Sequence, residues 1–200
     1  MEYIYEAHNI LPKTLCKEII EKFESDYRKA EGELRNGTID HRLKKCIDLN
    51  IALYADWELE RNRIDKVFRT AFRNYQNNLK LNVFGEEKAH IVDQLFSGKN
   101  VLRSDFLIGR YGVGGHFNWH VDYTHCENRM CNFIIYLNDH EACTEFLNGK
   151  KIKPEPGKIV FFPTTWVHAH CGQTIEKGNK YMVTSFIHYD DTNERYIPPL

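Results

Sequence analysis

YGVGGHFNWHVD, residues 111–122, and WVHAHCGQTIEKGNK, residues 166–180, are the two stretches of sequence that decide the fold. The first places His120 and Asp122 two residues apart in a run with strand character. The second places His168 and His170 at the same spacing. Because side chains alternate between the two faces of a strand, residues at i and i+2 point the same way. Each stretch can therefore aim two metal-binding groups at one point.

Two histidines and one aspartate on one face of a metal form the 2-His-1-carboxylate set, which leaves coordination positions open and is typical of non-haem Fe(II) oxygenases. The H-x-D pattern is weak by itself, because a 200-residue chain with 10 histidines can produce it by chance. A surface strand pair is therefore an alternative for His120 and Asp122. In the second stretch, either His168 or His170 can supply the other imidazole.

The spacing of further residues around these groups is more specific. The residues at characteristic offsets from the histidines are Tyr111, Gly114, Phe117, Gly172, Gly178 and Lys180. A hydrophobic run, FIIYLND at residues 133–139, lies between the two stretches. Over residues 101–187, this joint pattern resembles the motif of the prolyl-4-hydroxylase-like branch of the 2-oxoglutarate/Fe(II)-dependent dioxygenase superfamily.

The resemblance implies an α+β fold with a mainly β core, a double-stranded β-helix (jelly roll) buttressed by N-terminal helices. It implies His120, Asp122 and His170 as the catalytic metal ligands. Lys180 would pair with the distal carboxylate of 2-oxoglutarate, and Tyr111 would donate a hydrogen bond to the same cosubstrate. The implied cofactors are Fe(II), 2-oxoglutarate and O2, with ascorbate as a further candidate.

Lys180 and His170 are the assignments that depend most on spacing. A lysine at the start of a strand is ordinarily a surface residue. An ammonium in an apolar cavity is costly unless an anion pairs with it, so a buried Lys180 would favour an anionic guest. Only His170 begins an H-x-G sequence and precedes a lysine by ten residues, which favours it over His168.

Two positions depart from the family pattern. Ala142 and Cys143 stand where a Gly-Gly pair is usual, and Thr174 stands where a proline is usual. Both positions are expected to border the pocket rather than to hold the metal. The departures are therefore expected to affect which substrate binds more than which reaction the metal site performs.

Composition argues against several classes of protein. The chain has 27 Lys and Arg against 28 Asp and Glu, so no net field favours nucleic acid or an anionic membrane. It has no apolar run of about 18 residues, and its N-terminus lacks the layout of a secretory signal. A cytoplasmic location is therefore expected. The six cysteines form no C-x-x-C pair, which argues against a zinc ribbon.

Apolar periodicity predicts helices before residue 100 and short strands after it. A first helix is expected from Pro12, with Tyr27 as the last residue of its apolar face, and a second from an Asp56 cap to about Leu79. Residues 46–53 alternate as a strand, and a hairpin is expected at residues 148–149. We expect a single domain over residues 1–200, with 1–100 as mostly helical support and 101–190 as the jelly-roll catalytic core.

Several residues near the ligands are candidates for contact with the substrate. Trp119 should face away from His120, which favours core packing over stacking on the substrate, whereas His116 and Asn118 share the parity of His120 and should line the mouth of the pocket. Further candidates by their nearness to the ligands are Tyr123, Arg129 and Trp166.

Four functions remain open at this stage. The first is hydroxylation of a prolyl or other residue in a protein or peptide, with release of succinate and CO2. The second is the same chemistry on a free amino acid or small metabolite. The charge balance and Lys180 disfavour the third, oxidation of nucleic acid. The fourth is a non-catalytic, metal-binding, cupin-like jelly roll.

Overall fold

Short strands from both halves of the chain form two antiparallel sheets. The structure, a computed structural model, describes residues 3–34, 37–96, 101–123 and 128–189. The strands are β1 (Tyr5–Ala7), β2 (Ala30–Glu31), β3 (Lys44–Lys45), β4 (Ile47–Asn50), β5 (Val101–Arg103), β6 (Leu107–Tyr111), β7 (His116–His120), β8 (Arg129–Tyr136), β9 (Thr144–Phe146), β10 (Lys151–Ile152), β11 (Ile159–Pro163), β12 (His170–Gly172) and β13 (Lys180–Tyr189).

The two sheets differ in size. Within the described ranges, the larger has eight strands, in the order β1-β11-β8-β13-β6-β4-β2 with β5 paired to β13. The smaller has five strands, in the order β10-β9-β12-β7-β3. The sheets are antiparallel and do not close into a barrel, which is the open sandwich of a jelly roll. The predicted hairpin is confirmed, because β9 pairs with β10 across residues 147–150.

The central strand β8 shows why the chain forms three layers. Phe133 and Ile135 belong to a core shared with the helices, whereas Ile134 and Tyr136 belong to a second core shared with the smaller sheet. Because alternate side chains point to opposite faces, a continuous buried run requires cover on both sides of the sheet. The site described below lies on the side that the smaller sheet covers.

Helices cover the other face of the larger sheet. They are α1 (Lys13–Ser25), α2 (Glu58–Asn78) and α3 (Ala89–Phe96), joined by 3-10 turns at Ile51–Leu53, Ala55–Trp57 and Glu86–Lys88 and a π-helical turn at Leu79–Phe84. The predicted apolar stripe of α2 is confirmed: Phe68 stacks on Phe133 at 4.7 Å and Tyr75 stacks on Phe161 at 5.1 Å between ring centroids. In the part of the chain described, no helix is long and apolar enough to span a bilayer.

Two predicted helix features are wrong. Asp56 does not cap α2; it lies in the turn Ala55–Trp57, where its carboxylate accepts hydrogen bonds of 3.0 and 2.7 Å from Arg28. Tyr27 lies beyond the end of α1 and is 91% exposed. In both cases Arg28 and its partners form a local polar cluster that periodicity does not reveal.

The strand predicted over residues 46–53 is shorter than expected. Only Ile47–Asn50 is extended, because the side chain of Asn50 accepts a hydrogen bond from the backbone N–H of Ala52 and turns the chain into a 3-10 helix. The half of the chain before residue 100 supplies β1 to β4 to the two sheets as well as helices. The division into a support half and a catalytic core stays a prediction.

Asp26 holds α1 against α2, and we expect its loss to destabilise the fold. Its buried carboxylate accepts from Arg28 at 2.6 Å and from the indole N–H of the fully buried Trp57 at 2.8 Å. These contacts, that of Arg28 first, hold the pKa of the Asp26 carboxyl well below its usual range. Asp26→Ala should lower the free energy of unfolding by about 3 kcal/mol, measured by urea denaturation. Asp40→Ala, which removes the partner of the exposed Arg42, should cost less than about 1 kcal/mol, and equal losses would contradict this account.

Candidate metal and cosubstrate site

The sequence-predicted ligands converge at one end of the smaller sheet. His120 at the end of β7 lies directly opposite His170 at the start of β12, with ring centroids 4.3 Å apart. Asp122 lies two residues beyond, just past the strand. Its Oδ1 is 3.6 Å from Nε2 of His120, and its Oδ2 is 3.7 Å from Nε2 of His170. The three ligand atoms lie within 4.8 Å of one another.

Backbone contacts fix the proton on each imidazole. Nδ1 of His120 lies 2.8 Å from the carbonyl oxygen of Asn118, and Nδ1 of His170 lies 3.0 Å from that of His168. Since a carbonyl oxygen only accepts, each Nδ1 carries a hydrogen, and Nε2 is the ring nitrogen that can bind a metal when the imidazole is neutral. Burial, together with the neighbouring His170, lowers the pKa of His120 to about 4, so this imidazole is neutral at physiological pH.

Two imidazole Nε2 atoms and a carboxylate thus face one another across a small gap. Each distance between them exceeds hydrogen-bond length, so no proton joins the three groups. Two imidazoles oriented by backbone carbonyls, with one carboxylate, suit a divalent transition metal. The residues present therefore fit Fe(II).

A cavity of about 770 Å³ opens in front of the three ligands. Both sheets contribute to its wall, which is mostly apolar. The apolar lining residues are Leu34, Leu43, Leu107, Phe117, Trp119, Val121, Ile134, Met182 and Phe186. Phe117 stacks on the ring of His120 with 3.6 Å between centroids, so it shields one face of that ligand from water.

Lys180 is fully buried and lies beside two residues of the cavity wall, Tyr111 and Gly172. It opens β13 opposite Tyr111 of β6, and its Nζ is 5.4 Å from the Tyr111 ring centroid. The ammonium donates one hydrogen bond, of 3.2 Å, to the carbonyl of Ala142, and within the described residues no carboxylate lies at ion-pair distance. Burial lowers the pKa of Lys180 to about 8. A buried ammonium in these surroundings is expected to bind an anion.

Tyr111 is buried in the cavity wall. Burial, together with the neighbouring thiol of Cys46, raises the pKa of the Tyr111 hydroxyl well above the usual value. The thiol contacts Oδ1 of Asp48 at 3.3 Å, and Lys44 donates to Oδ2 of Asp48 at 2.6 Å. Sequence reasoning missed this polar cluster, although K-x-C-x-D at residues 44–48 carries the spacing of a single strand face.

His168 lies outside the group of ligand atoms. Residues 166–168 form a 3-10 turn rather than the expected strand, and its ring contacts the hydroxyl of Thr165 at 3.3 Å and the ring edge of Tyr3. Only its backbone carbonyl reaches the site, as the acceptor of the His170 Nδ1 hydrogen. The alternation of strand side chains therefore does not apply to the pair His168 and His170.

Several substrate-side predictions are corrected. Trp119 is 51% exposed and lines the cavity, so the core-packing prediction is wrong. Asn118 lines the cavity as expected, whereas His116 is outside its wall and contacts the Gly114 carbonyl. Arg129 also lines the cavity, and its guanidinium lies 3.7 Å from the Phe186 ring centroid.

Other predicted positions lie away from the cavity in the described structure. Trp166 is 75% exposed and Tyr123 is half exposed, and neither belongs to the cavity wall. Thr174 is exposed and also outside the wall, which contradicts the expectation that it borders the pocket. At the other departure from the family pattern, Ala142 does approach the site, through its carbonyl on Lys180.

Comparison with known families places this site in context. Residues 106–188 match the profile of the 2OG-Fe(II) oxygenase superfamily, and this segment contains all three candidate ligands and Lys180. Over this segment the chain is similar to the 2OG-Fe(II) oxygenase superfamily, which supports the enzyme class expected from sequence, a 2-oxoglutarate-dependent dioxygenase. A search of curated proteins by sequence finds no match.

Solved structures of prolyl hydroxylases share the fold of this oxygenase. The viral collagen prolyl hydroxylase of Paramecium Bursaria Chlorella virus-1, in complex with 2OG, has a TM-score of 0.63 at 18% identity, over 94% of this chain and 97% of that one. The Trichoplax adhaerens prolyl hydroxylase, in complex with a hypoxia inducible factor peptide fragment, has a TM-score of 0.69 at 12% identity, over 94% and 84%. A Pseudomonas putida prolyl-4-hydroxylase has a TM-score of 0.65 at 11% identity, over 94% of both chains. These similarities confirm the jelly-roll fold.

Proposed function

We propose that this oxygenase hydroxylates a prolyl or other residue within a protein or peptide, with Fe(II) and 2-oxoglutarate as cofactor and cosubstrate. The observation that carries the proposal is the pairing of two features across one cavity. Three convergent metal-binding atoms lie at its wall, and a buried ammonium, with no carboxylate partner among the described residues, lies next to Tyr111 of the same wall. Fe(II), when bound, supplies the activation of O2 while 2-oxoglutarate is oxidised to succinate and CO2.

The chain's own residues would bind the metal and the cosubstrate and orient them. His120 and His170 would bind the metal through Nε2, and Asp122 would bind it through its carboxylate. Lys180 would pair with the far carboxylate of 2-oxoglutarate, and Tyr111, in the cavity wall beside it, would donate its hydroxyl hydrogen to the cosubstrate. The apolar lining keeps bulk water from the reacting atoms.

Support for a peptide substrate comes from the cavity and from the fold. At about 770 Å³, the cavity is larger than a five-carbon diacid needs, so it leaves room for a substrate side chain. Exposed Trp119, Val121 and Leu43 extend its wall to the surface, where a chain segment could lie. Two of the proteins with this fold are described as acting on collagen or as bound to a peptide.

Turnover with a peptide library tests this function. Protein loaded with Fe(II) and ascorbate should release succinate from 2-oxoglutarate when proline-containing peptides are present, and the product peptide should gain 16 Da. A mass gain confined to free amino acids or metabolites would instead support the second candidate function, hydroxylation of a small molecule. Absence of succinate release together with absence of 2-oxoglutarate binding would contradict the proposal.

The affinity for 2-oxoglutarate should fall at high pH. Because the pKa of Lys180 in the free protein is about 8, a growing fraction of the amine is neutral above that pH and must be protonated before it pairs with the dianion. Titration calorimetry with Mn(II)-loaded protein should show a constant Kd from pH 6.5 to 7.5, then a rise that approaches tenfold per pH unit above about 8. A Kd that stays constant up to pH 9.5 would contradict the role of Lys180.

A further inference from the structure

One carboxylate oxygen of Asp122 accepts a hydrogen bond from a residue of the larger sheet. The side-chain N–H of Asn132, on β8, donates to Oδ2 of Asp122 at 2.6 Å, and both residues are buried. Asp122 follows a strand of the smaller sheet, so this hydrogen bond joins the two sheets at the metal-binding end of the cavity. Asn132 also lines the cavity.

A second residue supports the direction in which the Asn132 amide points. Thr184, on the neighbouring strand β13, places its hydroxyl 3.2 Å from Oδ1 of Asn132 and 3.3 Å from the carbonyl oxygen of Phe133. With the hydroxyl donating to Oδ1, the amide nitrogen faces the carboxylate of Asp122. The reversed amide would place its oxygen 2.6 Å from a carboxylate oxygen, where two acceptors repel each other.

The two oxygens of Asp122 are therefore unequal. A short hydrogen bond from a buried amide saturates one side of Oδ2, whereas Oδ1 accepts no hydrogen bond from the described residues and lies 3.6 Å from Nε2 of His120. A carboxylate that bound a metal through both oxygens would occupy two coordination positions. A carboxylate that binds through one leaves three positions open beside two histidines.

We propose that Asn132 is a positioning residue that selects Oδ1 of Asp122 as the metal donor, and that Thr184 maintains the amide orientation this requires. The inference rests on the proposed function, since it takes Asp122 as a ligand. Its consequence is that the open positions needed by a bidentate cosubstrate and by O2 depend on a residue that does not touch the metal. Residues that orient metal ligands typically contribute 10- to 100-fold in metal affinity.

Co(II) binding to the metal-free protein tests the inference without turnover. Asn132→Leu keeps the side-chain size but cannot donate, and should raise the Kd for Co(II) by roughly 10- to 100-fold. The visible d–d spectrum of Co(II) bound to this variant should change as Asp122 rotates. The Kd of the Co(II)-loaded variant for 2-oxoglutarate should rise. Thr184→Val should show the same changes at smaller size, whereas Thr184→Ser, which restores the hydroxyl, should match the wild type.

The two variants at Thr184 keep the test decisive if Asn132→Leu does not fold. Equal Co(II) affinity and an unchanged spectrum in Thr184→Val and in any folded Asn132→Leu would overturn the inference. Equal losses in Thr184→Val and Thr184→Ser would also overturn it, because they would indicate packing rather than the hydroxyl. Failure of the wild type to bind Co(II) would instead contradict the proposed metal site itself, and the inference with it.

Discussion

Replacing Lys180 with methionine should abolish 2-oxoglutarate binding and at the same time stabilise the protein without ligand. Methionine fills nearly the same space but carries no charge to pair with the distal carboxylate. Loss of one partner of a buried charge pair costs about 3 kcal/mol or more, so the Kd should rise more than about 100-fold. Calorimetric titration of the Mn(II)-loaded variant measures this directly.

The gain in stability follows from the burial of an ammonium that has no carboxylate partner among the described residues. The fall in the pKa of Lys180 from 10.5 to about 8 corresponds to about 3 kcal/mol against folding at neutral pH. Methionine removes that penalty, although it leaves the Ala142 carbonyl without its donor, at a cost of about 1 kcal/mol. Lys180→Met should therefore raise the free energy of unfolding by about 2 kcal/mol.

The pH dependence gives the sign of this effect. The wild-type penalty is complete below the folded pKa of about 8 and disappears above the unfolded value of 10.5, so wild-type stability should rise between these pH values. The variant should lack that rise. A wild type that gains no stability in this window would contradict the burial argument.

Lys158 provides a matched control. It is also buried, but it pairs with Glu155 at 2.6 Å and with Glu6 at 3.6 Å. Lys158→Met should destabilise the protein by about 1 kcal/mol, because the Glu155 and Glu6 carboxylates that lose this partner are partly exposed, and should retain 2-oxoglutarate binding. Loss of cosubstrate binding in both variants, or in neither, would show that Lys180 has no special role.

Replacing His170 with alanine should remove the metal, whereas replacing His168 should not. Removal of a ligand should cost more than the 10- to 100-fold that removal of a supporting residue costs, so the Kd of His170→Ala for Co(II) should rise more than about 100-fold. His168→Ala leaves the backbone carbonyl that accepts the His170 Nδ1 hydrogen, so its Kd should match the wild type.

A fold control is needed because His170 packs between Phe146 and Phe162. Circular dichroism should show that His170→Ala retains a cooperative thermal transition, at a somewhat lower Tm. If His168→Ala loses the metal while a folded His170→Ala retains it, the ligand assignment is wrong.

Local patterns account for the parts of the site that the sequence predicts well. His120 and Asp122 converge because the spacing i, i+2 selects one side of an extended chain, and His170 joins them because it lies opposite His120 on a neighbouring strand. Residues 133–136 of β8 are buried on both faces, as their unbroken apolar character indicates. These features depend on a few adjacent residues, which is why periodicity finds them.

Long-range contacts account for the parts that the sequence does not predict. The two-residue strand β3 is too short to show a period, so the place of Lys44 beside the cavity is not visible. Asn132 looks like an isolated polar residue in an apolar strand until Asp122 and Thr184 are brought to it. Trp119 lines the same cavity as His120 although it is the neighbouring residue on the strand, which alternation does not predict. His168 mimics strand spacing within a 3-10 turn.

A crystal structure of the protein grown anaerobically with Mn(II) and 2-oxoglutarate would test the central claim most directly. The account predicts one metal bound by Nε2 of His120, Nε2 of His170 and Oδ1 of Asp122, with the distal carboxylate of 2-oxoglutarate on Nζ of Lys180. Metal bound elsewhere, or a cosubstrate whose distal carboxylate lies away from Lys180, would contradict it.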